Sequence, residues 1–201
     1  MKKSTVIILI SIAAFLLIAI FLPIGWGIGK YNTMVSMDEA VKSQWGKVES
    51  QYQRRADLIP NLVATVKGYA THESSTLENV ITARSKATQV TIDPKNLTPQ
   101  KLQEFQAAQG QVSAALGRLM VISEKYPELK ANQNFLELQA QLEGTENRIA
   151  VERNRFNDVA QEFNTFIRKF PNSLVAGFGS FREKPYFEAE KVAAKAPTVK
   201  F

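Results

Sequence analysis

The chain has 201 residues, enough for one domain of ordinary size plus an anchor, and it contains no cysteine and a single histidine, His72. That composition excludes a disulfide framework, a thiol nucleophile and a cysteine-ligated or histidine-rich metal site. The net charge of +6 resolves into +3 from Lys2, Lys3 and Lys30, 17 basic against 16 acidic side chains over residues 31–171, and five against three beyond. The interior of the chain is close to neutral, so the basic stripe of a nucleic-acid-binding domain is missing.

The first element is apolar. MKKSTVIILISIAAFLLIAIFLPIGWGIGK carries no charge between Lys3 and Lys30, a run long enough to cross roughly 30 Å of hydrocarbon at about 1.5 Å per residue. A cleaved signal peptide would need a shorter apolar core and small residues before its cleavage point. Here the run ends in Pro-Ile-Gly-Trp-Gly, so an uncleaved anchor over residues 1–30 is the preferred reading, with Pro23 near the end of the span and Trp26 at the interface. Lys2 and Lys3 precede the span, and only Lys30 follows it closely. Positive residues stay cytoplasmic, which predicts a single pass through a bacterial cytoplasmic membrane, N-terminus inside and bulk of the chain outside. The reverse, with the bulk cytoplasmic, is the alternative.

From Met34 the apolar residues recur at three- and four-residue steps: Met34, Met37, Val41, Trp45, Val48, Tyr52, then Ile59, Leu62, Val66, Tyr69, Leu77 and Val80. This is the helical period. Arg55, Glu73 and Arg84 fall in slots of this seam. Pro60 lies inside it. A proline there removes a backbone hydrogen bond and clashes with the preceding turn, at about 3 kcal/mol. Either residues 31–90 form one long kinked helix, or the chain turns near Asp57–Pro60. IDPKNLTP (92–99) reads as a loop, with Thr98 capping a helix that opens at Pro99.

That helix is expected over Pro99–Tyr126, with a seam of Leu102, Phe105, Gln109, Val112, Leu116 and Leu119. A last long helix is expected from about Glu128 to Phe170. Its seam, from Phe135 through Leu142, Thr145, Ile149, Glu152, Phe156 and Phe163 to Phe170, keeps the 3–4 alternation over five heptads. Residues 172–201 read as an irregular tail whose Phe178, Phe181, Tyr186 and Phe187 fold back on the helices. The fold class is all-α.

Four segments carry a resemblance. QRRADLIPNLVATVKGYATHESSTLENVITAR (53–84) and YPELKANQNFLELQAQLEGTENRIAVERNRFNDVAQEFNTFIRKFP (126–171) resemble the signature stretches of the LemA family, and YNTMVSMDEAVKSQW (31–45) and PYFEAE (185–190) fit it. The resemblance implies an N-terminal transmembrane helix followed by an antiparallel four-helix bundle of long helices over 31–171, and it tips Pro60 toward a helix boundary. Phe156-Asn157 and Phe163-Asn164 stand where the family commonly has tyrosine before asparagine, so a phenolic role there is not expected. The resemblance further implies a membrane-associated accessory role. Some relatives build magnetosome membranes, and some genes lie beside membrane proteases or TPM-domain proteins.

Candidate partner-binding or register-fixing residues follow. A charge in a seam must be paired or costs several kcal/mol, which singles out Arg55, Glu73, Arg84 and Glu152. They either pair to fix helix register or line a polar pocket. Asp57 is the expected cap or ion-pair partner of Arg55, beside Pro60 and Asn61 at the expected corner. Arg54 with Arg55 is a short basic pair for anionic lipid. His72-Glu73 is a fragment of H-E-x-x-H whose second histidine is replaced by Thr76, so zinc hydrolysis is not expected. Asn147, Asn154, Asn157 and Asn164 recur at heptad spacing for helix-to-helix hydrogen bonds or a binding strip. No cofactor, metal or nucleic acid is expected. Three functions stand side by side: a non-enzymatic envelope scaffold that binds a protein partner, a lipid-binding or membrane-shaping protein, and an enzyme built on the charged seam.

Overall fold

The computed structural model describes residues 3–70 and 72–188. Part of the tail expectation, including the end of PYFEAE, falls on residues 189–201 and lies outside them. The described residues are all-α: α1 Lys3–Lys67, α2 Ser74–Gln89, a short 3₁₀ turn Pro94–Asn96, α3 Pro99–Ser123, α4 Pro127–Lys130, α5 Gln133–Arg168 and α6 Asn172–Phe178.

The expected boundary at Pro60 is not there. Helix α1 runs through it without interruption, and Pro60 and Asn61 are exposed on its outer side. The missing N–H of Pro60 leaves the carbonyl of Ala56 without its helical donor, and Arg84 Nε supplies a replacement at 2.7 Å. The true end comes after Lys67. Gly68 N–H turns back to the Thr65 carbonyl at 3.3 Å, and the N–H groups of Tyr69 and Ala70 both reach the Val66 carbonyl, at 3.0 and 2.9 Å. The last turn tightens in this way and satisfies carbonyls that a helix end leaves open.

Thr98 caps α3 as the sequence expects, its hydroxyl accepting from Lys101 N–H at 3.3 Å, with Pro99 opening the helix. The single helix expected over 128–170 is divided. Helix α4 is one turn long, and α5 begins after Asn132, whose side-chain oxygen accepts from Phe135 N–H at 3.0 Å. Asn is a strong N-cap, so the local signal for this break is in the sequence. Residues 172–178 of the expected irregular tail form α6.

The chain divides into two compact units. The larger comprises Val41–Ala160 and the segment from Lys184. Its core gathers Ile59, Leu62 and Val66 of α1, Leu77 and Val80 of α2, Val112, Leu116 and Leu119 of α3, Leu129 of α4, and Phe135 and Leu142 of α5. Burial of these side chains at about 25 cal/mol per Å² is its main support. Contacts run in order along the helices: Gln44 meets Glu152, Arg55 meets Glu146, and Tyr69 meets Asn132. Tyr69, expected in the seam, is exposed, and its hydroxyl accepts from Asn132 Nδ2 at 2.9 Å.

The smaller unit comprises residues up to Ala40 and Gln161–Glu183. Its N-terminal helix is long and apolar enough to cross a membrane, and none of the apolar window is buried. Leu9, Phe15, Leu17, Phe21 and Ile28 all face outward. Phe181 packs against Tyr31, with ring centroids 5.5 Å apart, and against Phe163 at 6.2 Å.

Candidate functional site

The four charged seam residues do not close on one another among the described residues. Each has a partner of its own. Arg55 is the most enclosed, 2% exposed on α1. Its Nη1 donates to Ser113 Oγ at 2.7 Å and to a carboxylate oxygen of Glu146, and its Nη2 donates to Gln109 Oε1 at 2.7 Å and to the Gln109 carbonyl at 3.2 Å. The guanidinium also lies 5.2 Å from the ring centroid of Tyr52. Arginine suits this position because its planar fork meets several acceptors at once. Glu146 is 41% exposed, so one end of the pair reaches water.

Asp57 is not the partner of Arg55. It is exposed and accepts from Gln53 Nε2 at 2.8 Å, one helical turn away. Nor does it cap a helix, because α1 continues past it. Arg54 and His72 are exposed. Arg84 holds the Ala56 carbonyl, as described above. Glu73 accepts from the hydroxyl of Tyr126 at 3.2 Å. Burial, and then the charge and hydrogen bond of Glu73, push the Tyr126 phenol above its ordinary range, because the anion would be poorly solvated and would face a carboxylate. Glu152 accepts from Gln44 Nε2 at 2.6 Å and from Arg155 Nη1 at 2.8 Å.

The asparagines do not share one environment. Asn147 and Asn154 are exposed, and Asn164 is buried in the smaller unit. Asn157 works as a clamp on the tail: its Nδ2 donates to the Phe187 carbonyl at 3.0 Å, and its Oδ1 accepts from Phe187 N–H at 2.8 Å. The clamped Phe187 lies parallel to Trp45 with centroids 5.9 Å apart, and meets Phe156 edge-on at 5.4 Å. Arg153 covers its outer side at 5.0 Å and donates to the Glu188 carbonyl at 2.8 Å. The indole N–H of Trp45 is buried there without a partner among the described residues, which costs about 1–3 kcal/mol. Of the tail aromatics, Phe187 and Phe181 pack inward, whereas Tyr186 and Phe178 are exposed.

A pocket of about 520 Å³, counting the solvent at its mouth, opens between α1, α2 and α3 beside Arg55 and Arg84. Glu49 is the carboxylate in its lining, which otherwise combines polar Tyr52, Gln53, Thr88, Thr91 and Gln109 with apolar groups. Glu146, Ser113, Gln44 and Tyr126 also make polar contacts in the seam, and nothing in the sequence near each of them points to those contacts. Their partners lie 91, 58, 108 and 53 positions away.

Fold and site together define an all-helical protein with an exposed apolar N-terminal helix and a core braced by separate polar contacts. The LemA family model matches residues 44–201, and the chain belongs to the LemA family. It is 26% identical to the magnetosome protein MamQ of Magnetospirillum gryphiswaldense, over 99% of this chain and 78% of that protein. It is 27% identical to magnetosome protein MamQ 1 of Paramagnetospirillum magneticum, over 85% of this chain and 68% of the relative. It is 22% identical to protein LemA of Metamycoplasma hominis, over 82% of this chain and 72% of the relative.

Proposed function

We propose that the protein is a non-enzymatic scaffold of the bacterial cell envelope. Residues 1–30 hold it in the cytoplasmic membrane by a single pass, N-terminus inside, and residues 31–171 present an antiparallel four-helix bundle, carrying the tail, to a protein partner. The order of contacts, from Gln44–Glu152 and Arg55–Glu146 between α1 and α5 to Tyr69–Asn132 just beyond the end of α1 and before the start of α5, supports the antiparallel arrangement. The observation that carries the non-enzymatic reading is the separate pairing of Arg55, Glu73, Arg84 and Glu152. Charged groups so engaged fix the register of helices and are not free to exchange protons with a substrate. Confinement to a membrane raises the local concentration of any partner there. A membrane protease or a TPM-domain protein is the expected kind of partner.

The test is copurification of the full chain from detergent-solubilised membranes after crosslinking in cells. A stoichiometric envelope protein is expected, and recovery of no protein above a tag-only control sinks the scaffold reading. The enzymatic alternative predicts something else: substituting Arg55 or Glu152 would abolish an activity while leaving the melting temperature unchanged.

A further inference from the structure

Phe178 is 94% exposed, Phe170 81% and Leu174 57%. Leu174 and Phe178 stand four residues apart on α6 and so share a face, and Phe170 lies in the turn just before the helix. Scattered apolar residues are ordinary on a protein surface, but a contiguous set of large ones marks a contact.

What lies beside this stripe says what the contact is. Within the smaller unit, Asn172 Nδ2 donates to the Phe166 carbonyl at 3.1 Å and pins the start of α6 to the end of α5. At the other end, Gly179 is so close to Tyr31 that an added Cβ would stand 3.0 Å from its ring. Lys30 Nζ lies 5.6 Å from the ring centroid of Phe166 and 5.9 Å from that of Trp26. Both ends of α6 are therefore fixed next to residues 26–31, where the exposed apolar run of α1 stops. Tryptophan, tyrosine and lysine gathered at the end of such a run mark the boundary between hydrocarbon and water. Arg168, Lys169 and Arg182 flank α6 and are exposed, with Glu183 3.7 Å from Arg168.

We infer that α6 is a second membrane-contact element: the Leu174 and Phe178 face enters the interfacial layer of the bilayer that α1 spans, with Phe170 in the turn before it and Arg168, Lys169 and Arg182 among the headgroups. The inference rests on the anchor reading above. A short helix with an apolar face and basic flanks lies in the membrane plane when something else holds it there, and the fixed contacts with Tyr31 and Phe166 do so. A water-facing position would leave two phenylalanines almost wholly hydrated for no structural return.

The chain's lack of cysteine makes the test direct. Single cysteines are introduced by Phe178→Cys, Leu174→Cys, Val121→Cys and Phe15→Cys in the full chain, spin-labelled, and reconstituted into phosphatidylcholine vesicles containing phosphatidylglycerol. All four side chains are exposed, so the fold is retained, as helical circular dichroism would verify. Labels at 178 and 174 should collide with a water-soluble nickel chelate several-fold less often than the label at 121, and with oxygen more often. Equal nickel accessibility at 121, 174 and 178 overturns the inference. So does spin–spin broadening at 178, which would mean that a second copy of the chain covers the stripe. The label at 15 separates the two readings: if it is lipid-exposed while 174 and 178 are hydrated, the anchor stands and the α6 contact fails; if it too is hydrated, both fail.

Discussion

The two members of the Arg55–Glu146 pair differ in their access to water, and so in the consequence of losing either. Glu146→Gln leaves the guanidinium buried among neutral acceptors, and a loss of about 2–3 kcal/mol is expected. Arg55→Met fills the space of the stem and lets Glu146 turn to solvent, so a smaller loss of about 1–2 kcal/mol is expected despite the unpaired Gln109 and Ser113. Chemical denaturation of the full chain in mild detergent ranks the two, and the reverse order would refute the account. Tyr126 gives a second prediction at this scale. Its folded pKa is raised, so its contribution is complete while the unfolded phenol is still protonated, below about pH 10. As pH rises past that point the unfolded chain loses its proton first and stability falls. Melting curves between about pH 9 and 11 should decline less steeply for Tyr126→Phe than for the parent. Arg55 was legible as a charge in an apolar slot. Its acceptors were not, because Ser113 and Glu146 sit at ordinary polar positions of their own helices, and only the fold brings them to it.

At the scale of the element, α1 is the instructive case. Its heptad phase survives across Pro60, which is legible in the spacing of Tyr52, Ile59 and Leu62, and that phase correctly describes one helix. The proline argues for a break, and what removes the argument is Arg84, a residue of another helix whose Nε reaches the stranded Ala56 carbonyl. No local rule contains that contact. It yields a double-mutant cycle. Arg84→Leu should cost about 1.5–2 kcal/mol in the parent chain and only a few tenths in a Pro60→Ala background, where the new N–H supplies the bond. Pro60→Ala alone should raise stability by up to about 3 kcal/mol. Equal costs of Arg84→Leu in both backgrounds would show that Arg84 acts elsewhere. The break at Asn132, by contrast, followed a capping signal that a long, regular seam on both sides obscured.

For the whole molecule, the most legible features were the coarse ones. An uncharged N-terminal run and an unbroken helical period specify an all-α chain with an exposed apolar segment, since both depend on hydropathy and spacing alone. A charge placed in the middle of that segment tests its role. Leu16→Arg adds about 2.5–3.5 kcal/mol to the insertion of a spanning helix, so a larger share of the chain should be released from membranes by alkaline carbonate. An unchanged distribution would mean that the segment does not span. The Pro60–Arg84 contact also bears on comparison between relatives. In this chain Arg84 serves the carbonyl that Pro60 strands, so a relative without the proline would not need the arginine for that carbonyl, whereas one that keeps the proline would. A chimera that imports either segment from such a relative alone inherits a mismatch, whereas importing both together leaves none.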